Sequence, residues 1–184
     1  KSLQILQSVR FCLTWLVLIV LTNNLFSQET EPNNTAAQAN TFAINTTLEA
    51  AISPAGDEDW FKVVIPQEGI LRFISTGINI NDFYISMLDE NGTSVFSTAN
   101  VYPLGDIDST QRTNLVAGTY YVRVFPFGSN VGSYHLTNKF FPALLPNDQE
   151  PNNSYETAQV FQLNSSTTGR LNYGKLNVFD SEDW

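Results

Sequence analysis

The sequence predicts an all-β protein, a jelly-roll-like β-sandwich of about eight strands, followed by a truncated second copy of it. Three observations lead to this prediction. Short runs rich in β-branched and aromatic residues alternate with turn signals every 8–12 residues. No stretch after Asn40 keeps a helical period. A motif near the start of the predicted domain returns later in the chain.

The predicted strands are separated by recognisable turns. Pro66 ends one strand, Asp89–Gly92 (DENG) forms a hairpin turn, and Ala117-Gly118 separates the seventh strand from the one before it. Trp60, at the start of the second predicted strand, is expected to be a core residue. The predicted strands cover residues 41–52, 60–65, 70–75, 82–88, 94–97, 109–115, 119–125 and 131–140.

The repeat divides the chain into segments. Glu31–Asn34 (EPNN) recurs as Glu150–Asn153, and Asp57–Trp60 (DEDW) corresponds to Ser181–Trp184 (SEDW). Two separated matches in the same order indicate a duplicated module. We therefore expect a first module over residues 29–141, a proline-containing linker over 142–147 and a truncated second module over 148–184, which is too short to fold alone.

The first 28 residues resemble a signal peptide. Basic residues Lys1 and Arg10 precede an apolar run, Phe11–Leu21, that is too short to span a bilayer comfortably. The alternative is an uncleaved membrane anchor. Since the chain starts without methionine and stops inside a motif, we expect it to be a fragment of a secreted or cell-surface protein, with no stable membrane anchor in this part.

The charge distribution limits the class of partner. The formal net charge is −9, and all eighteen acidic residues lie at or after Glu29. Such a surface repels phosphate backbones, so nucleic acid is not an expected partner, whereas cations are attracted. The single cysteine, Cys12, lies in the predicted signal peptide. The mature chain therefore has no disulfide to fasten its loops.

Three motifs together resemble the bacterial pre-peptidase C-terminal domain family. They are Glu31–Asn34 (EPNN), residues 56–61 (GDEDWF), and residues 115–124 (LVAGTYYVRV) followed by 132–136 (GSYHL). The resemblance implies a non-catalytic jelly-roll module carried by secreted enzymes, often peptidases, and by surface proteins. It also implies a relation to the collagen-binding domains of collagenases, in which calcium lies between the N-terminal segment and the loop before the aspartate-tryptophan strand.

The residues themselves fit calcium, which takes six to eight oxygen ligands. Alternate residues of an extended segment point the same way, so Glu29, Glu31 and Asn33 would face one ion. Asn34 would add its carbonyl, and Asp57 and Asp59 would approach from the facing loop. The second copy repeats these donors as Asp148, Glu150, Asn152, Asn153, Asp180 and Asp183. The alternative is that the first motif is a solvated turn and the second a loop cap.

A second candidate site is weaker. Aromatic residues mixed with an arginine are typical of recognition surfaces. These residues lie on the last two predicted strands and would form one outward face that binds a ligand; alternatively, they pack against a neighbouring loop or the second module. They are Tyr121, Arg123, Phe125, Phe127 and His135.

The sequence gives little support for catalysis. His135, the only histidine, is expected to point outward, and the chain contains no Gly-x-Ser-x-Gly elbow, zinc-ligand cluster or glycine-rich phosphate loop. Asp57–Asp59 would suit a glycosidase only if two carboxylates faced each other across a cleft.

The leading hypothesis is a calcium-stabilised, non-catalytic module that targets a substrate or adheres to an extracellular polymer, a protein matrix or a polysaccharide. The alternatives are a secretion or folding accessory of a hydrolase, such as a peptidase, and a structural spacer whose repeats contact each other.

Overall fold

The computed structural model describes residues 27–144, 152, 154–169, 174–175 and 178–179. In this part of the chain no helix is long and apolar enough to cross a membrane. A 3₁₀ turn covers Ala36–Gln38. The strands are β1 (Ser27–Gln28), β2 (Asn40–Thr41), β3 (Thr47–Ile52), β4 (Asp59–Ile65), β5 (Gly69–Gly77), β6 (Phe83–Leu88), β7 (Val95–Val101), β8 (Ile107–Leu115), β9 (Gly118–Pro126), β10 (Gly132–Pro142), β11 (Gly174–Lys175) and β12 (Val178–Phe179).

The strands β3 to β10 form a jelly roll. Sheet A has the order β1-β3-β10-β5-β8, and sheet B has the order β2-β4-β9-β6-β7. Within these sheets β3 pairs with β10, β4 with β9, β5 with β8 and β6 with β7, all antiparallel. This nested pairing is that of one long hairpin rolled into two sheets, and it confirms the predicted fold class.

Seven of the eight predicted strands are present with shifted ends; the exception is the first. Residues 41–52 were expected to be continuous, but the structure has β2 and β3 separated by a turn. Asn45 lies in that turn with φ 60°, a left-handed conformation that asparagine tolerates. Its backbone N–H donates to the buried Asn138 Oδ1 at 2.7 Å, and its Oδ1 accepts from the Phe140 N–H at 2.8 Å. The polar side chain therefore stabilises the break.

The core lies between the two sheets. Buried and partly exposed residues alternate along β3, β5 and β10, as expected for strands with one face in the core. Leu71, Phe73, Tyr134 and Leu136 are among the fully buried residues. Each large apolar side chain contributes about 2 kcal/mol by burial. Because all buried core residues of the sandwich lie between residues 39 and 140, it holds a complete core of its own.

Trp60 is buried, as predicted, but outside the main core. It lies on the outer face of sheet B and packs with Ala39 and Leu88 in a small separate cluster. The 3₁₀ turn contributes Ala36 to this cluster, and the Tyr121 ring meets the indole edge-on at 6.4 Å between centroids. Trp60 therefore anchors the N-terminal segment to the outside of the sandwich.

The strand directions define two ends of the sandwich. β1 is parallel to β3 and β10 is antiparallel to it, so Ser27 and Pro142 lie at the same end, here called the proximal end. The loops 53–58, 78–82, 102–106 and 127–131 lie at the opposite, distal end. Both connections to the rest of the chain therefore leave from one end.

The second copy repeats the local structure of the first where it is described. Asn164, the counterpart of Asn45, has φ 61°. The Ser165 hydroxyl donates to the Gln162 carbonyl at 2.6 Å, just as Thr46 donates to Ala43 at 2.6 Å in the first copy. Most of the predicted signal peptide, residues 1–26, and half of the predicted linker, residues 145–147, lie outside the described residues. So do the second-copy site residues Asp148, Glu150, Asn153, Asp180 and Asp183.

Candidate metal centre

The N-terminal segment crosses the open side of the sandwich from sheet A to sheet B. It leaves β1 beside β3 and joins β2 beside β4, and each of these parallel pairings covers only two residues. Between them, the Trp60 N–H donates to the Asn33 carbonyl at 3.0 Å. Few backbone hydrogen bonds therefore attach this segment to the two sheets, and its side chains provide much of the remaining attachment.

Three carboxylates meet under this segment. One oxygen each from Glu29, Glu31 and Asp59 lies within 4.8 Å of the others. Glu31 is exposed, Glu29 is partly buried and Asp59 is fully buried, so the group runs from solvent into the sandwich. Such closely spaced negative charges repel each other unless they share protons or a cation.

Asn33 lies at the centre of this group. Its side-chain amide donates to Glu29 Oε2 at 3.3 Å, and its backbone N–H donates to Glu31 Oε2 at 2.9 Å. The other Glu29 oxygen accepts from the Ala51 N–H of β3 at 2.5 Å. These bonds orient both glutamates toward the opening between β3 and β4.

Two buried oxygens in this group have no hydrogen-bond partner. They are Asn33 Oδ1 and Asp59 Oδ1, and both side chains are fully buried. The second Asp59 oxygen accepts from the buried Tyr134 hydroxyl at 2.6 Å. A buried acceptor without a donor costs about 1–3 kcal/mol, a cost that a bound cation would remove.

Burial raises the pKa of the two inner carboxyls. Burial moves the Glu29 pKa to about 7, with smaller contributions from Glu31 and Asp57. Burial, and then the negative charge of Glu29, moves the Asp59 pKa to about 9. The Tyr134 pKa is also well above its ordinary value, because the phenol is buried and faces these carboxyls. Without a cation the centre therefore holds protons at neutral pH.

The other predicted ligands occupy different positions. Asp57 is buried and accepts from the Ser53 N–H at 2.9 Å, and its charge raises the pKa of both Glu29 and Asp59. The Asn34 side chain is exposed. In the second copy, Asn152 is described and is buried like its counterpart Asn33.

The donor set fits a hard divalent cation. Carboxylate and amide oxygens are the ligands that calcium prefers, and no sulfur or imidazole belongs to this group. The unpartnered Asn33 and Asp59 oxygens are the observation that supports this fit. Glu29, Glu31, Asn33 and Asp59 would hold the ion, which would offset two of the three carboxylate charges and link β4 to the N-terminal segment.

The interpretation of the aromatic residues as one outward face is wrong. β9 belongs to sheet B and β10 to sheet A, so Tyr121, Arg123 and Phe125 lie on one side of the sandwich and His135 on the other. His135 Nε2 lies 3.8 Å from Glu49 Oε2 on the neighbouring strand. Although β9 and β10 are adjacent in sequence, they belong to different sheets, which the alternation of residues alone does not reveal.

The residues on β9 pack against side chains of β4, β6 and the loop before β4. Tyr84 of β6 stacks on Phe125, with centroids 5.2 Å apart and an interplanar angle of 18°. The Arg123 guanidinium lies 4.3 Å from the centroid of the same ring and also forms a 2.5 Å ion pair with Glu58. Phe127, at the end of the strand, is 54% exposed. Of the five predicted ligand-binding residues, Phe127 is therefore the most accessible to a ligand.

The sequence interpretation did not include two partners of these sites. An outward His135 implies that its neighbour Tyr134 faces inward, but the sequence did not identify the Tyr134 hydroxyl as the donor to Asp59. Glu58 was not singled out as the partner of Arg123. The inward alternation of β10 was the available signal for Tyr134; the Glu58 contact depends on strand register, which the sequence does not give.

Comparison with known proteins gives similarity of fold only. No family model and no curated protein matches the chain. Among solved structures, the pre-peptidase C-terminal domain of collagenase from Bacillus anthracis is 16% identical, with a TM-score of 0.46, over 60% of this chain and 100% of that one. This neighbour belongs to the family that the sequence motifs resemble.

Two other neighbours have different roles. The periplasmic lysozyme inhibitor PliG of Aeromonas hydrophila is 13% identical, with a TM-score of 0.41, over 55% of this chain and 96% of that one. A carbohydrate-binding module of Cellvibrio mixtus lichenase 5A, solved with cellotriose, is 18% identical, with a TM-score of 0.28, over 50% of this chain and 86% of that one.

Proposed function

We propose that residues 29–141 form a non-catalytic binding module of an exported protein, fastened by calcium and used for substrate targeting or surface adhesion. The observation that carries the calcium assignment is the pair of buried, unpartnered oxygens on Asn33 and Asp59 beside three converging carboxylates. The ion would stabilise the fold, because its ligands come from two separate parts of the chain.

Calcium would take the place of a covalent crosslink. The only cysteine of the chain is Cys12, so residues 29–184 contain none that could pair. The N-terminal segment pairs with each sheet over two residues only. A cation shared by Glu29, Glu31 and Asp59 would hold this segment across the gap between the sheets.

The second copy would use the same device. Asp148, Glu150, Asn152, Asn153 and Asp183 occupy positions equivalent to donors of the first copy, and Asp180 lies one position before the equivalent of Asp57. We propose that the parent protein carries tandem modules of this kind, each with its own calcium.

Thermal unfolding tests the calcium assignment. For residues 27–144, calcium at about a hundredfold excess over its dissociation constant should raise stability by about 2.7 kcal/mol relative to chelator, a shift of roughly 10 °C. Glu31→Ala should abolish this shift, because it removes one of the three carboxylates that would hold the ion. Since Glu31 is exposed, its removal leaves the core intact. Asp106→Asn removes the same charge at the far edge of sheet A and should keep the shift.

The outcomes separate the hypotheses. Equal melting temperatures in millimolar calcium and in chelator would contradict the calcium assignment. The first acidic motif would then be a solvated turn and the second a loop cap. Retention of the same protein on insoluble collagen, chitin or cellulose would identify the polymer and exclude a pure spacer. Passage through all three columns would contradict adhesion to these polymers.

A further inference from the structure

Large apolar side chains are concentrated at the distal end of the sandwich. Between residues 27 and 144, six of the exposed large apolar residues lie in the distal loops or directly beside them, with 42–66% of each side chain accessible. They are Ile78, Tyr102, Leu104, Ile107, Phe127 and Val131. A concentration of this kind marks an interaction surface more strongly than scattered apolar residues do.

Hydrogen bonds join the distal loops into one surface. Asn81 Oδ1 accepts from the Leu104 N–H at 3.1 Å, and the Asp82 carbonyl accepts from the Phe127 N–H at 3.1 Å. Loop 78–82 is therefore bonded to both of its neighbours. The exposed side chains are presented from a fixed arrangement, which reduces the entropy lost on binding.

The charges at this end limit the partner. Residues 78–82, 102–107 and 127–131 contain two carboxylates, Asp82 and Asp106, and the fourth distal loop, 53–58, adds Asp57 and Glu58; none of these loops contains lysine or arginine. Their other polar residues are uncharged, mainly asparagines. An anionic surface would be repelled, so the partner is electrically neutral or cationic.

The described ends of the sandwich lie away from the distal loops. Ser27 and Pro142 are both at the proximal end. The six side chains come from three separate loops and a strand start, so they would meet a partner as several loop tips. Several apolar tips suit insertion into a lipid interface.

We propose that the distal end binds a zwitterionic lipid surface by inserting these loop tips into its interface. Tyrosine and phenylalanine are suited to the boundary between headgroups and acyl chains. The asparagine amides beside them can bind headgroup oxygens. A few half-exposed side chains give weak, reversible binding, which tandem modules would strengthen by avidity.

Vesicle flotation tests the proposal. Residues 27–184 hold the complete sandwich but omit the apolar stretch 11–21, which would bind lipid by itself. We expect this protein to float with phosphatidylcholine vesicles and to bind less well when phosphatidylglycerol is added. The double variant Leu104→Ser, Phe127→Ser should lower the partition coefficient about tenfold or more, because two large apolar side chains leave the interface.

Val64→Ser provides the matched control. Val64 is 57% exposed on β4, near the proximal end, so its loss should change partitioning by less than about twofold. Circular dichroism spectra must be the same for all variants. The proposal is overturned if the unmodified protein stays with the lipid-free fractions, or if the double variant floats as well as the unmodified protein; either result would exclude lipid insertion by these loop tips.

Discussion

Replacing Asp59 by asparagine should stabilise the calcium-free protein, although it removes a proposed metal ligand. Asp59 is fully buried, and its pKa is raised from 3.8 to about 9 by burial and by Glu29. Because the folded protein binds this proton more tightly than the unfolded chain, stability falls as pH rises from about 4 toward 9. Asparagine does not titrate, so in the variant this residue makes no contribution to the pH dependence of stability.

The expected gain follows from the pKa difference. At pH 7 the unfolded chain holds Asp59 ionised, so folding must take up a proton at about 1.36 kcal/mol for each pH unit above 3.8, roughly 4 kcal/mol in total. The Tyr134 hydroxyl can still donate to the amide oxygen of asparagine. We therefore expect a gain of about 2–4 kcal/mol, or roughly 10 °C in melting temperature.

The assay is thermal unfolding of both proteins in chelator at pH 5, 7 and 8.5, repeated in calcium. In chelator the variant should melt higher than the unmodified protein at pH 7, and the difference should shrink at pH 5. In calcium the order should reverse. A variant that melts lower in chelator at pH 7, or an unmodified protein whose melting temperature is the same at pH 5 and 8.5, would refute the reasoning.

Three further predictions test neighbouring contacts. Tyr134→Phe removes the donor to Asp59 and should cost about 1–3 kcal/mol in urea unfolding; an unchanged midpoint would contradict that bond. Asn33→Asp adds a charge beside an unpartnered oxygen, so calorimetry should show tighter calcium binding, while the chelated protein should melt lower. Gly92→Ala should destabilise the fold by about 1–2 kcal/mol, because φ is +66° there and an added Cβ would lie 2.6 Å from the Ala36 Cβ; a melting temperature equal to that of the unmodified protein would disprove it.

Local pattern was enough to predict most strands. The alternation of buried apolar residues with more polar ones in β9 and β10 reflects directly which face meets the core, so the positions of these strands are visible in the sequence. The break between β2 and β3 was not visible, because Asn45 acts through its contacts with Asn138 and Phe140. Those contacts join positions more than ninety residues apart in the chain.

The candidate metal centre was predictable in part. The alternation of Glu29, Glu31 and Asn33 in an extended segment was sufficient to place their side chains near one another. The opposite side of the centre depends on which residue of β4 faces the core, and burial selects Asp59. Which sheet contains His135 is a property of the topology, and no local spacing specifies it.

The placement of both chain connections at the proximal end has a mechanical consequence. A pulling force on the two ends of the module acts at one edge, where β1 and β10 flank β3. The hydrogen bonds between these strands would break one after another, rather than all together under shear. The two-residue pairing of β1 with β3 would break first. In a chain of such modules, a cation bound by Glu29 and Glu31 would therefore be the first interaction to resist extension.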